Sequence, residues 1–452
     1  MTRAEKLEKL EGKGIGYQLF AIALPIMAAN LLQSLYNLAD TYFLGSLGAE
    51  AVSAPSITNN ISNFLIVFGM GFSLAGTTMI GQIYGRTKEK GPVIDKLASQ
   101  VFLINVSLSI FISIIGMLLT VPLCKLMGVP EGLTLDYTVQ YMRLTFMGIP
   151  FMFIDQILRS TMQGLGDTVT PLIIQSITVG LNFILDPIFI FVFDMEVAGA
   201  AYATNIARFI SAFVSVIILF SGKKGLKVSI RNMRPDRAIL SKIFKIGFPA
   251  AVGQAVSSLG FAVIQGVTNS FGPAVIAAFG IGNKITNFFT MPAMGISQGV
   301  QVLASRKLGA GNFKEASKVV RIALISIGIF ITIGMVLCMV QGEVVMRFFV
   351  DDDEVIHYGQ QFFDVVTFSV IVFGIYTVIT GAFNAGGKTK YTMWANILRL
   401  WGVRVPFAYI LPIFFGTYGL WFAMFCSNVI AFLVIIIPFA RGKWKNRLEI
   451  PA

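Results

Sequence analysis

The chain has 452 residues, 55% of them hydrophobic and 13% charged, with a mean hydropathy of +0.76 and a formal net charge of +12. A soluble domain carries about a quarter charged residues, so this composition excludes an ordinary soluble fold and points to many apolar helices of about 20 residues, the length that crosses a bilayer. The apolar runs do not alternate in polarity, which argues against a β-barrel, and the three scattered cysteines, Cys124, Cys338 and Cys426, supply neither a disulfide framework nor zinc spacing.

In chain order, a polar tail over 1–16 precedes a first span at 18–44. That run is a full span rather than a short apolar core, so no cleavable signal peptide is expected. Spans follow at 52–82, 98–121, 139–161, 170–193 and 198–220. A basic polar stretch at 222–245 separates them from six more, at 246–270, 275–304, 320–341, 361–383, 391–415 and 419–440, and a basic tail covers 441–452. The predicted fold class is an all-α polytopic membrane protein: twelve transmembrane helices in two six-helix lobes, 17–221 and 246–440, joined by a cytoplasmic linker at 222–245.

Lysine and arginine crowd into alternate loops, with Lys125, Arg143 and Arg347 alone on the other side. By the positive-inside rule both termini are cytoplasmic and the chain is a multi-pass cell-membrane protein. Orientation accounts for the positive charge, so the bilayer and not nucleic acid is the expected partner. The outer loops carry Asp194, Glu196 and the run Asp351-Asp352-Asp353-Glu354, read as a solvated face, with the single histidine, His357, in a solvated loop beyond it.

Residues 20–90 and 244–314 are two copies of one pattern, offset by 224 positions without a gap. Pro25 meets Pro249, Gly48 meets Gly272, Asn59-x-Ile61-x-Asn63-Phe64 meets Asn283-x-Ile285-x-Asn287-Phe288, and Met70-Gly71-x-Ser73 meets Met294-Gly295-x-Ser297. An even number of spans lies between them, so the axis relating the lobes is expected along the membrane normal, with a substrate cavity between the lobes near the midplane. The equivalence fails at one place that carries chemistry: Tyr36 and Asp40 meet Gly260 and Ile264.

Asp40, Asp155 and Asp186 fall well inside apolar runs. A carboxylate there is costly unless paired, hydrated or protonated, which makes each a functional candidate. Tyr36 and Asn37 stand at i−4 and i−3 of Asp40, and Asn182 at i−4 of Asp186, so each set shares a helix face. Pro187 predicts a kink just beyond Asp186. At 1.5 Å per residue, Asp40 lies about 30 Å and Asp186 about 24 Å from the cytoplasmic ends of their spans, at compatible depths. With Thr204 on the sixth span they make either a proton or sodium site or a polar network that locks the lobe.

Asp155 has Arg159 at i+4, which predicts a local ion pair. For Arg208, Lys284, Arg399 and Arg404 three arrangements stay open: a water-filled cavity, pairing of Lys284 or Arg404 with Asp364, or snorkelling at helix ends. Gly164-Leu165-Gly166-Asp167 matches a string of intramembrane aspartyl proteases but falls in a cytoplasmic turn, where a helix end is expected. No nucleotide-binding or hydrolase string occurs, so no enzyme activity and no cofactor is expected.

Taken with two six-span lobes and a basic linker, Tyr36-Asn37-Leu38-Ala39-Asp40-Thr41, Gly45-x-x-Gly48 and Ala54-Pro55 resemble the MATE (multidrug and toxic compound extrusion) transporters over nearly the whole chain, and within them the DinF-like branch. The resemblance implies a secondary antiporter, a monomer, that exports small amphipathic, mostly cationic organic compounds in exchange for H+ or Na+. It implies a cation site of Asp40, Asp186, Asn182, Thr204 and Tyr36, with Asn37, Tyr141, Pro25 and Pro187 as substrate-contact or gating positions. A lipid-linked glycan or lipid flippase of the same superfamily is the alternative; it would require Arg208, Lys284, Arg399 and Arg404 around one basic chamber. The seventh span lacks the acid that NorM-like members carry, so no sodium site is expected in the second lobe.

Overall fold

A computed structural model describes residues 12–45, 49–88 and 91–449, except for the side chains of 38–42, 45, 49–54, 56, 57, 59, 60 and 63. Twelve long helices follow one another: α1 (Ile15–Gly45), α2 (Ala49–Thr87), α3 (Pro92–Leu126), α4 (Leu133–Gly164), α5 (Val169–Val192), α6 (Glu196–Ser221), α7 (Arg237–Asn269), α8 (Pro273–Gly309), α9 (Phe313–Val340), α10 (Asp353–Ala385), α11 (Thr389–Phe415) and α12 (Thr417–Ala440). The apolar runs fold this way because a segment in hydrocarbon must satisfy its own backbone hydrogen bonds. Ten of the twelve contain a stretch apolar enough to cross a membrane; α4 and α8 do not. Both run through the interior of their bundles, α4 against α2, α3 and α6, and α8 against α9 and α10. Packing against protein therefore tolerates their polar residues. Two helices change winding near candidate residues: α5 becomes a π-helix over Ile188–Val192, directly after Pro187, and α11 over Leu398–Arg404.

The chain forms two compact units, one of residues 28–251 and one combining the chain up to Met27 with Val252–Leu448. The division falls inside α1 and α7, just after Pro25 and Pro249, and not within 222–245. Glycine contacts explain it. A Cβ on Gly71 of α2 would stand 2.6 Å from the Ala251 nitrogen and the Gly247 oxygen, so α2 lies directly on the α7 backbone. In the other unit Gly295 of α8 packs in the same way on Met27, and a Cβ on Gly299 would stand 2.9 Å from that of Ala23. Gly71 and Gly295 are equivalent in the repeat, so the first halves of α1 and α7 are exchanged by one conserved form of contact within this chain. Leu19, Ile22, Ala23 and Ile26 accordingly belong to the core that contains Phe279, Phe362 and Trp421, where Trp421 stacks on Phe279 at 5.9 Å.

The 222–245 stretch is not a loose connector. Gln100, fully buried on α3, donates to the carbonyls of Asn232 and Arg234 at 2.7 Å each and accepts from Asp236 N at 3.1 Å. Lys96 pairs with Asp236 at 2.6 Å, and Asp95 accepts from Lys227 N at 2.8 Å. The expected acidic face is likewise organised: Asp352 caps α10, and Arg347 bridges Glu343 at 3.1 Å and Asp353 at 3.0 Å. His357 lies in the exposed first turns of α10 rather than in a loop, with Gln361 at 2.9 Å. The acid of Gly164-Leu165-Gly166-Asp167 starts α5, receiving the backbone nitrogens of Val169 and Thr170 and the Thr170 hydroxyl.

Candidate functional site

Three helices of the 28–251 unit bring four of the expected site residues together. Asp186 and Asn182, one turn apart on α5, are almost completely buried, and Asn182 Nδ2 donates to Asp186 Oδ1 at 2.9 Å. The same amide approaches Thr204 Oγ1 of α6 at 3.3 Å, and Thr204 Oγ1 lies 2.8 Å from the Tyr36 hydroxyl of α1. The result is one continuous run of polar groups, Asp186–Asn182–Thr204–Tyr36, drawn from three helices. The spacing in sequence dictates it: i, i+4 on α5 aims amide and carboxylate at one face, and the alanine-rich start of α6 lets Thr204 come close. The Asp40 side chain lies outside the described residues; its backbone is in α1, one turn beyond Tyr36.

The run opens onto a cavity with about 70 Å³ of free volume, lined among others by Gln33, Tyr36, Asp155, Arg159, Thr204 and Arg208. A single water needs roughly 10–15 Å³ of such space, so the cavity admits a few waters or a small ion, well short of the drug-sized clefts that begin at about 300 Å³. Here the expected ion pair within α4 is replaced. Asp155 accepts hydroxyls from Ser211 and Ser215 of α6 at 2.9 and 2.8 Å, whereas Arg159 donates to Gln175 at 3.1 Å and Gln175 to Gln33 at 3.0 Å. The reason is direction: α6 offers two hydroxyls on one face at i, i+4, and the longer Arg159 side chain reaches across to α5. Arg208 sits 6.0 Å from the Tyr36 ring. Gln33, Gln175, Ser211 and Ser215 are the residues sequence reasoning missed; the i, i+4 spacing of the two serines was the available signal.

The remaining candidates distribute differently. Asn37 is exposed and accepts from Gln33 at 3.4 Å. Tyr141 packs in an apolar cluster with Leu44 and Ile190, away from the cavity lining. Pro25 lies three residues before the point where α1 passes from one unit to the other, and Pro187 precedes the π-helical end of α5. In the other unit, a Cβ on Gly260 would stand 3.0 Å from Leu400 Cβ, and Ile264 is buried. The positions equivalent to Tyr36 and Asp40 are thus filled by helix packing. Arg404 pairs with Ser427 and Asn428 at 2.8 Å each, not with Asp364, which accepts from Gln360 at 2.7 Å. Lys284 is exposed.

The repeat finds a counterpart in known proteins. The MatE family model matches the chain twice, over residues 25–188 and 249–410. The chain belongs to the MATE family of transporters. The two matches begin 224 residues apart, the offset of the internal repeat, with Pro25 and Pro249 as their first residues. The chain is 29% identical over 429 residues to "Probable multidrug resistance protein YpnP" of Bacillus subtilis, covering 95% of each protein. It is 26% identical to "Multidrug export protein MepA" of Staphylococcus haemolyticus, covering 99% of this chain and 97% of that one. Its fold is that of a MATE crystallised "in complex with MaL6", at a TM-score of 0.89 and 21% identity, covering 97% of this chain and 98% of that one. The twelve-helix membrane fold is therefore that of MATE proteins throughout.

Proposed function

We propose that this MATE protein is a secondary antiporter of the DinF-like branch that exports amphipathic, mostly cationic organic compounds in exchange for H+ or Na+. In this reading it is a monomer in the cell membrane with both termini cytoplasmic, and it is a transporter, not an enzyme. The names of its relatives, multidrug resistance and multidrug export proteins, support the export of small organic compounds. The observation that carries the coupling is the buried run from Asp186 through Asn182 and Thr204 to Tyr36, opening on a cavity that admits a few waters. The absence of any acid from α7, the repeat counterpart of α1, supports a coupling site in the 28–251 unit.

The chemistry follows from the groups. An ionised Asp186 is acceptor-only and fixes the Asn182 amide as a donor; a protonated one can itself donate. A sodium ion would instead draw the Asp186, Asn182 and Thr204 oxygens together, with Asp40 as the further acid. Either event neutralises charge in a low-dielectric region and resets the bonds linking α1, α5 and α6, so ion occupancy biases one arrangement of those helices. Exchange requires that ion and exported compound prefer different arrangements. The test is efflux of a fluorescent organic cation from proteoliposomes under an imposed proton gradient or sodium gradient. Uphill export under one of them supports antiport; export that never exceeds equilibration under either refutes it.

A further inference from the structure

The unit containing Val252–Leu448 holds a cluster that ion coupling does not use. Arg399 and Arg404, 5% and 3% exposed, stand near the first and last positions of the π-helical segment of α11. Arg404 Nε donates to Ser427 Oγ and its Nη2 to Asn428 Oδ1, each at 2.8 Å. Arg399 reaches only the same Asn428 oxygen, at 3.5 Å, and its Nε is buried with no hydrogen-bond partner. Each guanidinium offers five N–H donors, and among the described residues these three bonds are all they make to protein.

The electrostatics are more unusual than the donor count. Among the described residues no carboxylate stands within ion-pair distance of either arginine; Asp364 of the neighbouring α10 is bonded to Gln360. The surroundings are aromatic: the Arg399 guanidinium carbon lies 4.8 Å from the Phe373 ring centre, 5.6 Å from Tyr376 and 5.9 Å from Phe261, and that of Arg404 lies 5.7 Å from Phe261. Ring quadrupoles attract a cation but carry no net charge, so the cluster keeps two positive charges in the membrane interior. Intramembrane arginines are rare and are paired or face a pathway, and π-helical turns recur at functional sites.

We propose that Arg399 and Arg404 form a binding site for a small monovalent anion, a halide or the carboxylate of an organic acid, held between the two guanidinium groups beside Asn428. Asn428 is suited to orient the site: its Nδ2 is fixed by Ser369 Oγ at 2.7 Å, which turns its oxygen toward both arginines. Tyr376, whose hydroxyl donates to Asn396 at 2.8 Å, presents its ring rather than its hydroxyl to Arg399.

The experiment is equilibrium binding of radiolabelled chloride and, separately, benzoate to the purified full-length protein in detergent, in gluconate buffer of fixed ionic strength. Saturable binding of about one anion per chain is expected, weakened at least tenfold by Arg399→Gln. Arg399→Lys, which keeps the charge but loses the planar fork, should weaken it less and serves if the glutamine variant does not fold. Binding of chloride alone makes the occupant an inorganic ion, and binding of benzoate with no response to chloride makes it an organic acid; both support the site. Absence of saturable binding of either anion to wild type, or unchanged binding in both Arg399 variants, overturns it. These readouts do not depend on transport.

Discussion

Replacing Thr204 with valine isolates the hub of the site, because the side chain keeps its shape and loses only its oxygen. That oxygen lies 2.8 Å from the Tyr36 hydroxyl and 3.3 Å from Asn182 Nδ2, so it joins α1, α5 and α6 at one point. Each bond is worth about 0.6–1.5 kcal/mol between membrane helices, and losing both costs about 1–3 kcal/mol. If that energy is expressed in the ion-bound arrangement, the apparent ion affinity falls about 5- to 100-fold, at tenfold per 1.4 kcal/mol. The assay is the ion concentration that gives half-maximal gradient-driven efflux in proteoliposomes, with Thr204→Ser beside it. Serine restores an oxygen at the same carbon and should stay within about twofold of wild type. Valine and serine variants with the same affinity as wild type would refute the role of the hydroxyl; equal losses in both would mean that packing, not hydrogen bonding, is what Thr204 supplies.

Other consequences are structural. Gly71→Ala puts a methyl group 2.6 Å from α7 backbone atoms, so it should lower stability by about 1–3 kcal/mol, read as a fall in Tm of the detergent-solubilised protein. Gln100→Leu removes three hydrogen bonds to the 222–245 stretch, about 3 kcal/mol at about 1 kcal/mol each, and should loosen the backbone enough for trypsin to cut after Arg231 under conditions where wild type resists. The Lys96 ammonium, with the backbone N–H groups of Ile239 and Ala238, holds the Asp236 carboxyl below its usual range. A depressed carboxyl stabilises the fold above its unfolded pKa of about 4 and loses that contribution as pH falls through the folded value. Lys96→Ala should therefore reduce stability at pH 7, by under about 1 kcal/mol for so exposed a pair, with the difference from wild type vanishing in strong acid.

The extent to which the sequence foretold this molecule differs by kind of contact. Apolar length alone announces ten of the twelve helices, and the i, i+4 pair Asn182 and Asp186 announces its own hydrogen bond. Even α8, too polar to pass on composition, is legible once the repeat places it opposite α2. Contacts between helices are not announced in the same way. Nothing local to Gly71 says that its missing side chain admits α7, and the exchanged halves of α1 and α7 follow from that contact. Asp155 has an arginine at i+4, yet Ser211 and Ser215 take it from another helix. Serines in a membrane helix ordinarily bond their own backbone, so a cross-helix role leaves little trace beyond spacing. Arg404 is similar: Asp364 was the acid within reach on paper, but Ser427 and Asn428 of α12 face it. Short-range periodicity fixes which residues share a face, and only packing decides what that face meets.

On the proposed mechanism the ion driving export binds at Asp186 in the 28–251 unit. The most direct test is uphill efflux of an organic cation from proteoliposomes containing Asp186→Asn, under the gradient that drives wild type. The amide keeps the size and a hydrogen-bonding partner for Asn182 but cannot take up a proton or supply a full negative charge. The variant should still bind and equilibrate the compound but lose uphill export. Uphill export at the wild-type rate by the folded variant would contradict it.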